Sequence, residues 1–220
     1  NNDVVLPEET LIQMVQYMDS SPLVGVAGAT LVDTEGSLQS SFADVLTPGA
    51  ALSEALLLAP IMRRRRQRDR GECSGDRALD VGYVSGAFLM IRRETVEQIG
   101  LMDERFDFYS EEMDWCARAR QAGWRVVTLP GVRAVHHHGA TAQSHRSRFL
   151  RLRLESRRRF LGKHYGRTAA WCYRVSVVVG GLLLLLRSLF PGGGRSRSQR
   201  AADAAAGISW ALTRKRLWPP

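Results

Sequence analysis

Short apolar stretches alternate with helix-like stretches through the amino-terminal part of the chain. Apolar residues at helical spacing predict a helix between residues 7 and 22, and a buried strand follows over 23–32. Further strands are predicted over 79–92 and 124–129, separated by a helix over 110–123. Because strands that alternate with helices usually form a mixed sheet covered by helices, the sequence predicts an α/β fold.

Two segments are interpreted as breaks in this alternation of strands and helices. Residues 37–78 have no clean period and contain the basic run Arg63–Arg70, so they are expected to run over the surface without regular structure. Pro130-Gly131 is expected to end the strand that begins at Trp124.

The character of the chain changes after residue 143. Residues 144–167 are arginine-rich with amphipathic spacing, and residues 168–220 contain the apolar run Val175–Leu186 flanked by arginines. A membrane-spanning helix needs about 20 apolar residues, so this shorter run is interpreted as a helix at a membrane interface. The alternative is a core helix. The predicted domains are 1–143, 144–167 and 168–220.

Charge and cysteine content restrict the partners and the compartment. The chain has 31 Lys and Arg against 22 Asp and Glu, a formal charge of +9, which favours an anionic membrane surface, a diphosphate substrate or nucleic acid. Since no RNA-binding, recognition-helix or zinc-finger pattern is found, no nucleic-acid partner is expected. The 3 cysteines have no paired spacing, which fits a reducing cytoplasm.

Both ends of the predicted sheet domain carry residues suited to a divalent cation. Asp3 follows Asn1-Asn2 at a strand end, where its carboxylate can bind Mg²⁺ or Mn²⁺ or cap the next helix. His136-His137-His138 follows the last strand, and these residues are either a metal or diphosphate contact or a surface histidine cluster. Alternation along an extended chain does not decide the roles of His136 and His138.

Three acids lie at the start of one predicted helix. Glu111, Glu112 and Asp114 follow Ser110, the expected N-cap. Their negative charge is favourable near a helix N-terminus, which is a sufficient structural explanation. The functional alternative is that one carboxylate faces a cleft and removes a proton from an attacking hydroxyl, with its pKa raised by crowding.

The order of these patterns resembles the family 2 glycosyltransferases, especially rhamnosyltransferase-like members. The resemblance covers about residues 1–165 and rests on segments in the family's order: Asn1–Asp3, Gly86–Arg93, Met102–Cys116, Ala122-Gly123-Trp124 and His136–Thr141. Glu112 stands where the family usually has Asp, and Trp115 where it usually has Leu.

The resemblance implies a partial GT-A fold, a mixed sheet flanked by helices and followed by amphipathic, membrane-associated helices. The chain begins at Asn1 without Met, and the family's nucleotide-binding half is expected upstream. By the same resemblance the enzyme transfers a sugar, such as rhamnose, from a nucleotide-sugar donor to a lipid-linked or polysaccharide acceptor with inversion. It is expected at the cytoplasmic face of the bacterial inner membrane.

Site residues follow from the matching positions. Glu112 or Glu111 would be the base, and Asp114 would orient the acceptor or brace the helix. Asp3 and His136 would hold Mg²⁺ or Mn²⁺. Donor or acceptor contacts are expected from the remaining matched positions, Asn1, Gly86, Ala87, Trp115 and His138.

Three other functions would each explain part of the sequence. A metal-dependent hydrolase would need more ligands than one Asp and one His segment supply. A basic nucleic-acid-binding protein would explain the positive charge but not the other patterns. A membrane-docking fragment without catalytic activity would keep the same fold.

Overall fold

The computed structural model describes residues 2–56, 77–137, 146–189 and 196–213. The chain divides into two compact units. The first unit comprises Asn1–Val45, Gly71–Arg105 and Glu111–Ala140, and the second comprises Leu46–Arg70, Phe106–Ser110 and Thr141–Pro220. The basic run Arg63–Arg70 lies outside the described residues.

Strands are confined to the first unit, as far as the described ranges go. In chain order they are β1 (Val4–Val5), β2 (Val24–Val32), β3 (Phe42–Ala43), β4 (Leu79–Asp80), β5 (Tyr83–Val84), β6 (Leu89–Ile91) and β7 (Arg125–His136). The described helices are α1 (Glu8–Ser20), α2 (Pro48–Ala55), α3 (Arg93–Ile99), α4 (Glu111–Gln121), α5 (Arg146–Ser188) and α6 (Arg197–Leu212). Helices α1, α3 and α4 belong to the first unit.

The main sheet of the first unit is mixed, with strand order β1-β7-β2-β6 and with β4 also paired to β7. Strands β2 and β7 are parallel, whereas β1 and β4 are antiparallel to β7, and β6 is antiparallel to β2. Strands β3 and β5 form a separate antiparallel pair. The α/β class and the mixed sheet flanked by helices are therefore confirmed.

Strand β2 lies inside the sheet, between β7 and β6. Almost every residue in it is buried. Such an apolar run is typical of a strand covered on both faces. Met14 and Met18 of α1 pack in a cluster with Val24 and Leu31, while Cys116 of α4 belongs to a second cluster. These packed layers hold the ends of the strands, and the polar residues that follow them, in fixed positions.

Strand β7 does not end at Pro130-Gly131 as expected. It continues to His136, and the register against β2 shifts where Thr30 pairs with Arg133 after Ala29 pairs with Leu129. The irregularity accommodates the proline, which has no N–H to donate to a sheet. The continuation carries His136 to the far end of the sheet.

The interpretation of residues 37–78 as irregular was wrong for its described part. Residues 42–43 form β3, and Pro48–Ala55 form α2. Helix α2 begins after Thr47, whose side chain accepts a hydrogen bond from the N–H of Ala50, with Pro48 at the first helical position. Short elements of this kind lack the length that makes periodicity visible in a sequence.

The second unit consists of helices in its described residues. Helix α5 is broken at Gly166, where φ is 86° and ψ is 171°, and its later part packs against α2 and α6. Gly180 makes the approach to α2 possible, since a Cβ at this position would overlap the carbonyl group of Ala55. A side chain at Gly181 would meet Ile208 of α6 at 2.6 Å.

Several arginines of α5 form ion pairs within the second unit. Arg157 lies 2.7 Å from Glu54 and Arg159 lies 3.1 Å from Asp107. Arg158 lies 2.7 Å from Glu155. Carboxylates of the same unit therefore balance part of this positive charge.

The apolar part of α5 has one covered face and one exposed face. Tyr173 and Val177 are buried, whereas several apolar residues at helical spacing are exposed: Trp171, Val175, Val179, Leu182, Leu183 and Leu186. By length and composition, Ser147–Ser188 is the one helix in the described ranges that could cross a membrane, and about a third of its most apolar window is buried.

Candidate functional site

The end of β7 brings together Asp3 and His136, which lie 133 positions apart in the sequence. Val4 pairs with His136 in the antiparallel register of β1 and β7, and the N–H of His137 donates to the carbonyl of Asp3 at 2.8 Å. As a result, His136 Nε2 lies 3.5 Å from Asp3 Oδ2. The two side chains are 14% and 32% exposed, respectively, so a ligand can reach them.

The other side of the His136 ring contacts a residue that the sequence did not single out. His136 Nδ1 lies 2.8 Å from Oε1 of Gln39, and Gln39 Nε2 donates to the His136 carbonyl at 2.8 Å. The signal was missed because Gln39 lies in the stretch interpreted as a surface excursion. A single polar residue after a turn has no pattern that distinguishes it from other loop residues.

A cation at this position would be held by a carboxylate and an imidazole. Among the described residues, no group of three or more His, Cys, Asp or Glu side chains is arranged to hold a metal ion. Two protein ligands fit a hydrated Mg²⁺ or Mn²⁺ that takes its other ligands from water and substrate phosphates. They do not fit a closed structural site, which needs four.

The acidic helix α4 starts at the same end of the first unit as Gly86. A Cβ built on Gly86 would lie 3.4 Å from Glu112 Cβ and 3.8 Å from its carboxyl carbon. The backbone of the Ser85-Gly86 turn therefore lies directly against the Glu112 side chain. A larger residue at position 86 would cover part of that carboxylate.

Glu111 is half-buried beside Glu112. Burial raises the pKa of its carboxyl, with a smaller opposing effect from a hydrogen bond to its own backbone N–H. Its Oε2 atom is buried and has no hydrogen-bond partner in the described structure. A carboxylate in such surroundings holds its proton more strongly than one in water.

Asp114 lies on the buried side of α4. Its side chain is fully buried, and its Oδ2 atom accepts from Arg118 Nε at 2.9 Å. Arg118 also donates to the carbonyls of Ile99, the last residue of α3, and of Leu101. This network fastens α4 to the segment that follows α3.

Trp115 has a similar environment. It is buried, and its indole Nε1 donates to the Gly100 carbonyl at 2.9 Å. Ala87 packs against the core cluster under the sheet. Asn1 and His138 lie outside the described residues.

Ser110 directly precedes α4, as expected, but it does not have the backbone of an N-cap. Tyr109 and Ser110 both have φ of 68°, in the left-handed region, whereas an N-cap residue is normally extended. The chain makes a sharp turn here before the helix begins at Glu111.

One short segment joins the acidic helix start to the Asp3–His136 pair. The N–H of Ser85 donates to the Ser41 carbonyl at 2.8 Å, and the Ser41 hydroxyl donates to the Gln39 carbonyl at 3.1 Å. Ser41 Oγ also accepts from the Leu31 N–H at 2.7 Å, which attaches the segment to the carboxyl end of β2. Glu112, Gly86, Gln39 and His136 are thus connected along one end of the sheet.

The chain is similar to known glycosyltransferases. Residues 1–160 match the family described as glycosyltransferase-like family 2. An N-acetylglucosaminyl-diphospho-decaprenol L-rhamnosyltransferase of Mycobacterium tuberculosis is 40% identical over 57 residues, covering 26% of this chain and 19% of the relative. The rhamnosyltransferase WbbL of Escherichia coli K12 is 22% identical over 163 residues, covering 74% of this chain and 60% of the relative.

The O-antigen biosynthesis protein RfbC of Myxococcus xanthus is 25% identical over 150 residues, covering 66% of this chain and 11% of the relative. The chain spans less than two thirds of the length of each of these relatives. The family match covers 160 of the 220 residues, about 73%. The chain therefore belongs to glycosyltransferase-like family 2.

Proposed function

We propose that residues 1–143 form the acceptor-side part of a glycosyltransferase active site that moves a sugar from a nucleoside-diphosphate donor to a hydroxyl acceptor. The observation that carries the proposal is the connected end of the sheet, where Glu112 lies against Gly86 and the linked Asp3–His136 pair is accessible. Family membership supplies the reaction class, and the side chains at this position supply a base and a cation site.

Glu112 is the proposed base. As the acceptor oxygen forms its bond to the anomeric carbon, the hydroxyl proton passes to the Glu112 carboxylate. The bond from that carbon to the diphosphate oxygen breaks with the electron pair leaving on the diphosphate. A single displacement of this kind inverts the anomeric centre. Glu111 is the alternative base, and its burial favours the protonated form at rest.

Asp3 and His136 are the proposed ligands for Mg²⁺ or Mn²⁺. The ion, when bound, would neutralise charge that develops on the departing diphosphate. Asp3 brings a formal negative charge and His136 a neutral nitrogen, so the pair leaves room for phosphate oxygens in the coordination sphere. Asn1 and His138 are proposed to contact the donor.

The surrounding residues are proposed to position the acceptor. Gly86 presents backbone without a side chain beside Glu112, and Ala87 directly follows it in the chain. Trp115 is proposed to hold α4 in place through its hydrogen bond to the Gly100 carbonyl. The buried ion pair with Arg118 favours a bracing role for Asp114 over direct contact with the acceptor.

The substrate class follows from the relatives' names. The mycobacterial relative is named for action on N-acetylglucosaminyl-diphospho-decaprenol, and two relatives are named rhamnosyltransferases. We therefore propose rhamnose as the transferred sugar and a lipid-linked diphosphate or a polysaccharide as the acceptor.

Transfer by the full chain from a nucleoside-diphosphate sugar, with Mn²⁺ present, tests the proposed base. Glu112→Gln is expected to lower kcat about 10²–10⁴-fold, the usual contribution of a general base. Glu97→Gln makes the same chemical change on the exposed side of α3 and should leave kcat unchanged. Equal activity of all three proteins, or retention of the donor's anomeric configuration, would refute the mechanism.

We propose that the chain lies at the cytoplasmic face of the inner membrane, and the exposed apolar face of α5 supports contact with a membrane. A helix with one covered and one exposed apolar face can lie in the interface, where net positive charge attracts anionic lipid. Arg174 is engaged within the second unit, since it donates to the carbonyls of Ala211 and Thr213 at 2.7 Å and 2.9 Å.

Flotation with phosphatidylglycerol vesicles tests this location. Leu182→Asn/Leu186→Asn should reduce the floated fraction, and high salt should reduce it for the unaltered chain. Leu38→Asn/Leu101→Asn changes two leucines of the first unit that are even more exposed, and it should have no effect. Flotation that is independent of salt and of Leu182 and Leu186 would refute docking by this face. A protein that floats but transfers no sugar would be a docking fragment.

A further inference from the structure

We propose that Gln39 is a positioning residue, which fixes the His136 ring in the tautomer with hydrogen on Nδ1 and the Nε2 atom directed toward Asp3. The inference rests on the proposed function, because it concerns the cation ligands of that site. Gln39 belongs to the segment that connects the Asp3–His136 pair to the start of α4.

The orientation of the Gln39 amide follows from its two hydrogen bonds. One end of the amide faces the main-chain carbonyl of His136 at 2.8 Å, and a carbonyl accepts only. That end must therefore be the NH₂ group. The other end, the amide oxygen, consequently faces His136 Nδ1 at 2.8 Å.

The tautomer of His136 follows in turn. Because the Gln39 oxygen can only accept, Nδ1 must carry a hydrogen and donate it. The Nε2 atom then has either a lone pair or a second proton. It faces the Asp3 carboxylate at 3.5 Å, and two atoms with lone pairs need a positive charge between them. Either a proton or a metal cation satisfies this arrangement.

A tight turn after β2 places Gln39 beside the His136 ring. The Asp33 carboxylate accepts from the N–H groups of Glu35 and Ser37 at 2.9 Å and 2.8 Å. Gly36 has φ of 81°, which glycine adopts without steric cost. The Gln39 N–H then donates to the Leu31 carbonyl at 2.9 Å, which places its side chain beside the end of β7.

A partner of this kind has a defined effect on a metal ligand. Histidines that bind metals usually donate their second ring hydrogen to a fixed acceptor, and loss of that acceptor weakens metal binding by about 10–100-fold. Gln39 holds both the ring and the backbone of the same residue. A ring that is free to adopt the other tautomer would present an N–H toward Asp3 and exclude the cation.

Two measurements on the full chain test the role without sugar transfer. Nitrogen-15 NMR of the imidazole reports the tautomer of His136, and electron paramagnetic resonance reports the dissociation constant for Mn²⁺. Gln39→Met is expected to give a mixed tautomer and about 10–100-fold weaker Mn²⁺ binding. Gln39→Glu should keep hydrogen on Nδ1, because its carboxylate still accepts.

Gln16→Met is the matched control, since it makes the same change on the exposed side of α1. It should alter neither measurement. If Gln39→Met keeps the tautomer and the Mn²⁺ affinity of the unaltered chain, the inference is overturned. Mn²⁺ binding that does not depend on Asp3 would overturn it as well. Loss of the Glu112 effect with an intact Gln39 effect would refute only the proposed base.

Discussion

Asp114→Ala should destabilise the first unit strongly, because it leaves a largely buried guanidinium without its counter-charge. The Asp114 side chain is 0% exposed and that of Arg118 is 18% exposed, with 2.9 Å between Oδ2 and Nε. Removal of one partner from a buried pair costs about 3–5 kcal/mol. Arg118 keeps two carbonyl partners, so we expect the lower end, about 3 kcal/mol.

Urea unfolding followed by tryptophan fluorescence measures this change as a difference in the free energy of unfolding. A double-mutant cycle with Arg118→Met isolates the pair, and a coupling energy of about 2 kcal/mol is expected for groups in direct contact. The double variant should be more stable than the sum of the two single variants predicts.

The ion pair between Asp80 and Arg125 serves as the internal control. Its atoms are 2.7 Å apart, closer than in the buried pair, but the side chains are 54% and 43% exposed. Exposed pairs contribute about 0–1 kcal/mol, so Asp80→Ala should have a small effect. If Asp114→Ala costs less than Asp80→Ala, or abolishes transfer with stability unchanged, the bracing role is refuted.

The remaining predictions concern the acidic helix and its surroundings. Glu111→Gln should raise the free energy of unfolding at neutral pH, because burial raises the pKa of Glu111 and its ionisation therefore disfavours the fold. The gain should vanish below pH 4.5, the ordinary pKa of Glu. Urea unfolding at several pH values measures both effects. Gly86→Ala should leave stability within about 1 kcal/mol and lower transfer, because the methyl group would lie 3.4 Å from Glu112 Cβ; equal transfer would contradict the close approach. Burial raises the pKa of the Cys116 thiol to about 12, so iodoacetamide at pH 8 should leave Cys116 unlabelled while Cys172 reacts, as read by mass spectrometry.

Much of the first unit could be predicted because its elements carry strong local signals. Strand β2 is a continuous apolar run, and α4 has acids at its start and Gly123 after its end. Such signals depend on neighbouring residues alone. The mixed α/β class follows from their order.

The parts that could not be predicted depend on residues distant in sequence. Strand β7 continues past Pro130 because β2 offers a partner with a shifted register. Helix α2 is short and takes its place through packing against α5. Ser110 lies at the predicted boundary, but its left-handed backbone has no sequence signal.

The candidate site divides in the same way. The residue types of Asp3, His136 and Glu112 indicated a cation site and a base. The contact between Asp3 and His136 follows from the register of β1 and β7. The roles of Gln39 and Arg118 could not be inferred, because each acts through a contact that forms only when the sheet is assembled.

The Mn²⁺ dependence of the transfer rate tests the central claim, that a cation pair and a base at one end of the sheet perform different parts of one reaction. Asp3→Asn should raise the Mn²⁺ concentration needed for half-maximal transfer, because it removes a ligand. Glu112→Gln should lower the rate at saturating Mn²⁺ and leave that concentration unchanged. A rate that does not respond to Mn²⁺, or that neither variant alters, would contradict the account.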